Sequence, residues 1–186
     1  ALGMPAITAS DDAAGSTTYS LSLQILLLMT ALTVLPSLIL GMTAFTRIII
    51  VLSILRQALG TQQTPPNQVL IAVALFLSFF IMGPVFEVLY RDAISPFLDG
   101  NIGIERALTD GLAHLKEFMV VNTRSDTLNL FVDMSKSGPF PNEAAVPLNI
   151  VLPAFITSEL KTAFEIGFLI FLPFLVIDMV IASILM

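Results

Sequence analysis

The chain has 186 residues, of which 56% are hydrophobic and only 12% charged, with a mean hydropathy of +0.92. Soluble domains carry about 25% charged residues, so the composition argues against a free-standing soluble enzyme and for a membrane protein or a subunit buried in an assembly. With no cysteine, a lone histidine (His114) and a net charge of −6, it also argues against disulfide frameworks, cysteine or multi-histidine metal sites, a Ser/His/Asp triad and a nucleic-acid-binding face.

Taken in chain order, residues 1–20 read as a polar flexible leader rich in Gly, Ser, Thr, Ala and Asp. A start at Ala1 fits removal of a secretory signal peptide or trimming of a methionine before a small residue. Residues 21–90 form an apolar helical hairpin. No charge occurs between Asp12 and Arg47, nor between Arg56 and Glu87. The first arm is interrupted by Pro36 and Gly41. The second runs from about Asn67 to Tyr90, long enough for a bilayer core that needs roughly 20 apolar residues, with a kink expected at Gly83-Pro84. Between the arms, Gly60 stops a helix and Asn67 is expected to cap the next one.

Residues 91–146 hold five basic and eight acidic residues and read as a small soluble helical insert. Ile104, Ala107, Leu108, Leu112, Leu115, Phe118 and Met119 recur at helical spacing, with Gly103 as the N-cap. A second short helix starts near Ser125 and carries Leu128, Phe131 and Val132 on one side, and the segment 137–142 closes the insert as a loop. Residues 147–186 are apolar again, broken by Pro147, Pro153 and Pro173, with a helix expected to begin near Glu159 under a Thr157 or Ser158 cap. This apolar segment looks truncated at Met186. The fold class is therefore all-α, membrane-type helical hairpins with a small helical extracytoplasmic insert. Lys and Arg fall on both the hairpin approach and the insert, so the positive-inside signal is mixed. A secreted N-terminus would put the hairpin turn in the cytoplasm and the insert outside.

Arg47, Glu159, Lys161, Glu165 and Asp178 lie in or beside apolar segments. A charge facing lipid at the bilayer centre costs a few kcal/mol on insertion scales, so these helices are expected to face protein or water. Lys161 and Glu165 are four apart and could pair on one helical face. Ala154, Ser158 and Thr162, like Ala163 and Gly167, repeat every four residues, a spacing that lets helices approach closely. Taken singly, each has an ordinary reading as local salt bridging or packing; together they favour assembly. For Phe118 and Phe131 the plain reading is intradomain core, although so small an insert has little core of its own. His114 reads as structural, and the eight methionines as helix packing. Two rivals to a non-enzymatic subunit stand open: a small secondary transporter relaying protons through Asp178 and Glu165 beside broken helices, and, less favoured, an intramembrane enzyme, for which no nucleophile–base pair is visible.

The segments Phe45-Thr46-Arg47-Ile48-Ile49-Ile50-Val51, Leu55-Arg56-Gln57-Ala58-Leu59-Gly60 and Pro65-Pro66-Asn67-Gln68-Val69-Leu70 resemble the FliP/SctR family of type III secretion export-gate proteins. So do Ala74-Leu75-Phe76-Leu77-Ser78-Phe79-Phe80-Ile81-Met82 and the long block from Leu152-Pro153-Ala154 to Thr162-Ala163-Phe164. The resemblance covers nearly everything from Leu21 onward. It implies a pore subunit of the flagellar export gate in the bacterial inner membrane and basal body, passing unfolded substrates without nucleotide chemistry, since no P-loop is present. It implies a pentamer with FliQ and FliR, FliO during assembly, and FlhA, FlhB and the MS ring as neighbours, with no cofactor and no nucleic acid. It associates Phe118, Phe131 and Glu159 with subunit contacts. Lys161 and Glu165 are expected to serve assembly or helix positioning, and Arg47 and Asp178 to be buried charges in apolar helices. A methionine-rich loop that closes the pore in this family would fall beyond Met186. Where relatives often carry a capping Ser, position 103 is Gly.

Overall fold

A computed structural model describes residues 9–11, 17–19, 21–61 and 64–186. The remaining part of the expected leader lies outside the described residues. In the described part of that leader, strands β1 (Ala9–Asp11) and β2 (Thr17–Tyr19) pair antiparallel with Ala9 opposite Tyr19, a pairing that composition did not announce. Every other described element is a helix or a turn.

Helix α1 (Leu21–Gly41) is apolar all round, and Pro36 does not break it. Three of its hydroxyl groups bond within the helix: Thr30 donates to the Leu26 carbonyl at 2.8 Å, Thr33 to that of Thr30 at 2.9 Å and Ser37 to that of Val34 at 2.7 Å. Such back-bonding leaves no free hydroxyl hydrogen on these three residues. Its side chains from Gln24 to Leu38 are exposed.

The rest of the chain, from Leu40 onward, forms one compact unit. Its first feature is the break Met42-Thr43-Ala44, buried throughout. The Thr43 hydroxyl donates to the Leu40 carbonyl at 2.8 Å and accepts from the Phe45 amide at 3.3 Å, and the Ser78 hydroxyl reaches it at 3.3 Å. One side chain thus serves the groups left open at both helix ends. Helix α2 (Phe45–Ala58) follows and ends as the sequence predicts, with Gly60 at φ +70° and its amide donating to the Gln57 carbonyl at 3.0 Å. That left-handed conformation suits glycine.

Helix α3 (Asn67–Leu89) begins differently from expectation. Asn67 does not cap it. Its Oδ1 instead accepts from Arg56 Nη1 at 2.7 Å, tying the turn back to α2, and Pro66 occupies the capping position. The helix is continuous through Gly83-Pro84, where the kink is expected, runs on to Leu89 and passes through a π turn at Tyr90–Ile94 into the short α4 (Ser95–Leu98). A π turn takes up one extra residue without ending the helix. α3 buries only Leu70, Ala74, Ser78 and Met82, one per turn, and leaves Phe76 and Phe80 76% and 84% exposed.

Helices α5 (Ile104–Asn122) and α6 (Ser125–Ser135) make the insert. The predicted face of α5 divides. Leu115, Phe118 and Met119 join the core, whereas Ile104, Leu108 and Leu112 are exposed. The reason is geometric. The first half of α5 is held where Gly111 lies against Ala93 of the π turn, and its apolar residues there have no further element to cover them. Leu128, Phe131 and Val132 of α6 pack inward as predicted. Asn142 caps a single 3-10 turn, its Oδ1 accepting from the Ala145 amide at 2.8 Å.

Helix α7 (Leu148–Leu185) departs most from expectation. It starts eleven residues before Glu159, under Pro147, and runs 38 residues through both Pro153 and Pro173. Neither Thr157 nor Ser158 caps it. Ile150, Val151, Ala154 and Phe155 are buried on both sides of Pro153 against Met42, Met119, Val120 and Leu128, and this packing holds the backbone helical across the missing amide. At 1.5 Å per residue α7 is about 57 Å long, far more than the roughly 30 Å of a bilayer core. Its first half seats the insert, and its second half is exposed and apolar. Further down, Ala163 and Gly167 let α2 approach; a Cβ on Gly167 would collide with the Ile54 side chain, lying 3.0 Å from its Cγ2. Three stretches, Leu23–Gly41, Asn67–Leu98 and Leu148–Leu185, are long and apolar enough to cross a membrane.

Candidate assembly site: the charged seam of α7

Four of the five misplaced charges converge on the first half of α7. Arg47, in the first turn of α2, meets Glu159 side-on: Nε donates to Oε2 at 2.8 Å while Nη2 donates to Oε1. Glu159 is 1% exposed and Arg47 34%. A bidentate guanidinium–carboxylate pair is the strongest way to carry a charge among apolar helices. It also fixes the rotation and height of α2 against α7.

The expected Lys161–Glu165 pair is not formed. Both side chains reach instead to the start of α6. Lys161 Nζ donates to Asp126 Oδ2 at 2.9 Å, and Arg124 Nη1 donates to Glu165 Oε2 at 2.8 Å. Lys before Glu is the weaker order for a pair four apart on a helix, and the opposite charges of α6 lie within reach. Beneath this clasp the backbone amide of Arg124 donates to the buried Ser158 hydroxyl at 3.0 Å. The small residue singled out for close helix approach thus also caps α6 from across the interface. Arg124 and Asp126 carried no signal of their own in the sequence, because their partners lie 35 to 41 residues away.

Other singled-out residues lie elsewhere. Phe118 is half-buried, its ring 6.0 Å from that of Phe155 at 65°, and Phe131 packs on the same core. Asp178 is exposed on the second half of α7, with no ion-pair partner among the described residues. His114 Nε2 lies 3.4 Å from Asp92 Oδ2. Among the described residues no three His, Asp or Glu side chains group closely enough to hold a metal ion.

The clasp carries its own pH signature. The Lys161 ammonium, together with the Thr127 amide, holds the Asp126 carboxyl below the ordinary carboxylate range. A carboxyl lowered in the folded state stabilises it at neutral pH, and that contribution is lost as pH falls through the lowered value, below about 3.9. Lys161→Ala therefore lowers the melting temperature slightly at pH 7, and the deficit shrinks at acidic pH as Asp126 takes up its proton. An equal deficit at neutral and acidic pH would mean that Lys161 acts through its aliphatic stem and not through Asp126.

The profile of the FliP family matches residues 28–186. The flagellar biosynthetic protein FliP of Cereibacter sphaeroides is 65% identical over 184 residues, covering 99% of this chain and 61% of the relative. Those of Buchnera aphidicola subsp. Acyrthosiphon pisum and Bacillus subtilis are 50% and 49% identical, over 98% and 90% of this chain and 48% and 76% of their own lengths. The chain thus spans about half to three-quarters of the length of these relatives.

Proposed function

The chain belongs to the FliP family, and on that premise we propose that it is a non-enzymatic, pore-forming subunit of the flagellar type III export gate. Several copies, a pentamer by family analogy, combine with FliQ and FliR into a helical complex of the inner membrane. Unfolded flagellar substrates pass through its lumen. FliO attends assembly, and FlhA, FlhB and the MS ring are neighbours in the basal body. The leader and the insert (residues 91–146) lie on the periplasmic side.

The observation that carries this reading is the mismatch between apolar surface and burial. α3 buries one residue per turn along its first four turns and exposes much of the rest, including Phe76 and Phe80. Glu159, Lys161 and Glu165 of α7, by contrast, are paired within the chain. Such helices are complete as scaffolds and incomplete as surfaces, as expected of a subunit whose remaining faces meet other subunits or lipid. Tying α6 to α7 lets insert and apolar helices move as one block. Phe118 and Phe131 would support the insert's subunit contacts from within the core. A proton-relay transporter is disfavoured because Glu165, one of its two acids, is engaged by Arg124.

Native mass spectrometry of the gently detergent-extracted protein, with and without coexpressed FliQ and FliR, tests the proposal. A discrete homo-oligomer that gains partner subunits is the expected result. A monomer or dimer indifferent to those partners would overturn it and bring the transporter forward.

A further inference from the structure

A second cluster of titratable side chains lies away from the α7 seam, where the π turn that follows α3 meets α5. On the π turn, Arg91 holds Asp92 side-on: Nε donates to Oδ1 at 2.7 Å and Nη2 to Oδ2 at 3.2 Å. From α5, His114 brings Nε2 to 3.4 Å from the same Oδ2. A carboxylate oxygen has two lone pairs, so Oδ2 can serve both cations. The imidazole is 24% exposed and lines an apolar cavity with Pro84, Val88, Glu117 and Phe118. Beside it the apolar contact is slight. Gly111 offers no side chain, and the Ala93 methyl is the atom nearest to where a Cβ would stand, at 3.9 Å.

The other charges around the imidazole do not supply a second cation. Arg91 is taken by Asp92. Glu87 of α3 and Glu117 of α5 are exposed, with no ion-pair partner among the described residues. Asp110 pairs with Arg106 on α5, and Lys116 donates to the Ala144 carbonyl. α4 carries no titratable group, and Asp99 beyond it accepts from Ser95. Glu143 of the 3-10 turn accepts from Ser125, and Glu159, Lys161 and Glu165 of α7 are paired with α2 and α6.

We propose that His114 and Asp92 form a pH-sensitive latch: uptake of a proton by the imidazole turns their contact into an ion pair and fastens the first half of α5 to the π turn. Imidazole is the side chain that ordinarily changes charge between pH 5 and 8. A cation beside a carboxylate stabilises the arrangement in which the two meet, so the fastening is present at acidic pH and lost as pH rises through that range. With the imidazole neutral, Asp92 is left to Arg91 alone. The latch is a property of the fold and does not depend on the assembly reading.

Hydrogen exchange of the detergent-solubilised chain at pH 8 and pH 5.5, corrected for the intrinsic pH dependence of amide exchange, tests it. Both values lie above the ordinary carboxylate range, so Asp92 keeps its charge. In the parent, amides of residues 104–114 are expected to be about two- to fivefold more protected at pH 5.5, the scale of a partly exposed ion pair. Those of α6, whose clasp contains no histidine, serve as the reference and do not change. In His114→Gln the pH difference disappears. A parent without the difference, a His114→Gln variant that keeps it, or an equal change in α6 would each overturn the latch. Should His114→Gln not fold, Asp92→Asn decides: loss of the difference supports the latch and its persistence overturns it.

Discussion

Arg47→Met lowers the stability of the detergent-solubilised protein by about 3–5 kcal/mol, the usual consequence of stranding one member of a buried ion pair. The two halves of this pair are not equivalent. Glu159 is 1% exposed and has no other donor among the described residues, so removal of Arg47 leaves an uncompensated charge inside the α2–α7 contact. Arg47 is 34% exposed, so after Glu159→Met its guanidinium can turn outward. The second substitution therefore costs less. The double variant Arg47→Met/Glu159→Met returns to within about 1–2 kcal/mol of the parent, because an apolar pair of similar volume needs no desolvation. Urea unfolding at constant detergent, compared at equal m-value, measures all three. Strict additivity of the single substitutions would show that the two side chains are not energetically coupled.

Phe155→Ala costs a further class of stability, again about 3–5 kcal/mol. Its side chain is fully buried at the point where α5 and α6 meet α7, and its truncation opens a cavity in the seat of the insert. Phe118→Ala costs less, since that ring is half-buried and its edge-on contact with Phe155 adds only about 0.5–1.5 kcal/mol. The local consequence separates this from general weakening: amides of α5 and α6 exchange faster in Phe155→Ala while those of α3 change little. Uniform acceleration throughout the chain would mean that the insert is not a separately seated layer.

The insert shows how far local pattern reaches. The helical repeat that located α5 and α6 is a property of neighbours three and four apart, and both helices formed where it placed them. Which residues of that repeat are covered depends on an element arriving from elsewhere. α6 and the second half of α5 meet α7, so Leu115, Met119 and Leu128 are inside, whereas Ile104, Leu108 and Leu112 carry the same periodic signal and stay exposed. The prolines of α7 make the same point in reverse. Pro153 is a reliable local breaker, yet burial of Val151, Ala154 and Phe155 around it outweighs one lost amide.

From the amino-acid order alone come the all-helical class, the long apolar helices, the Gly60 stop, the family, and the list of charges set in apolar segments, since each depends on composition or on residues close in the chain. Only the tertiary structure decided how those charges are partnered: Arg47 with Glu159 across 112 residues, Arg124 with Glu165 and Lys161 with Asp126 in place of the nearby Lys161–Glu165 pair. A charge buried between apolar helices requires a partner, and that requirement is written in the sequence. Which partner satisfies it depends on the distance and direction in which packed helices deliver the side chains, and those are set by contacts that no local pattern encodes.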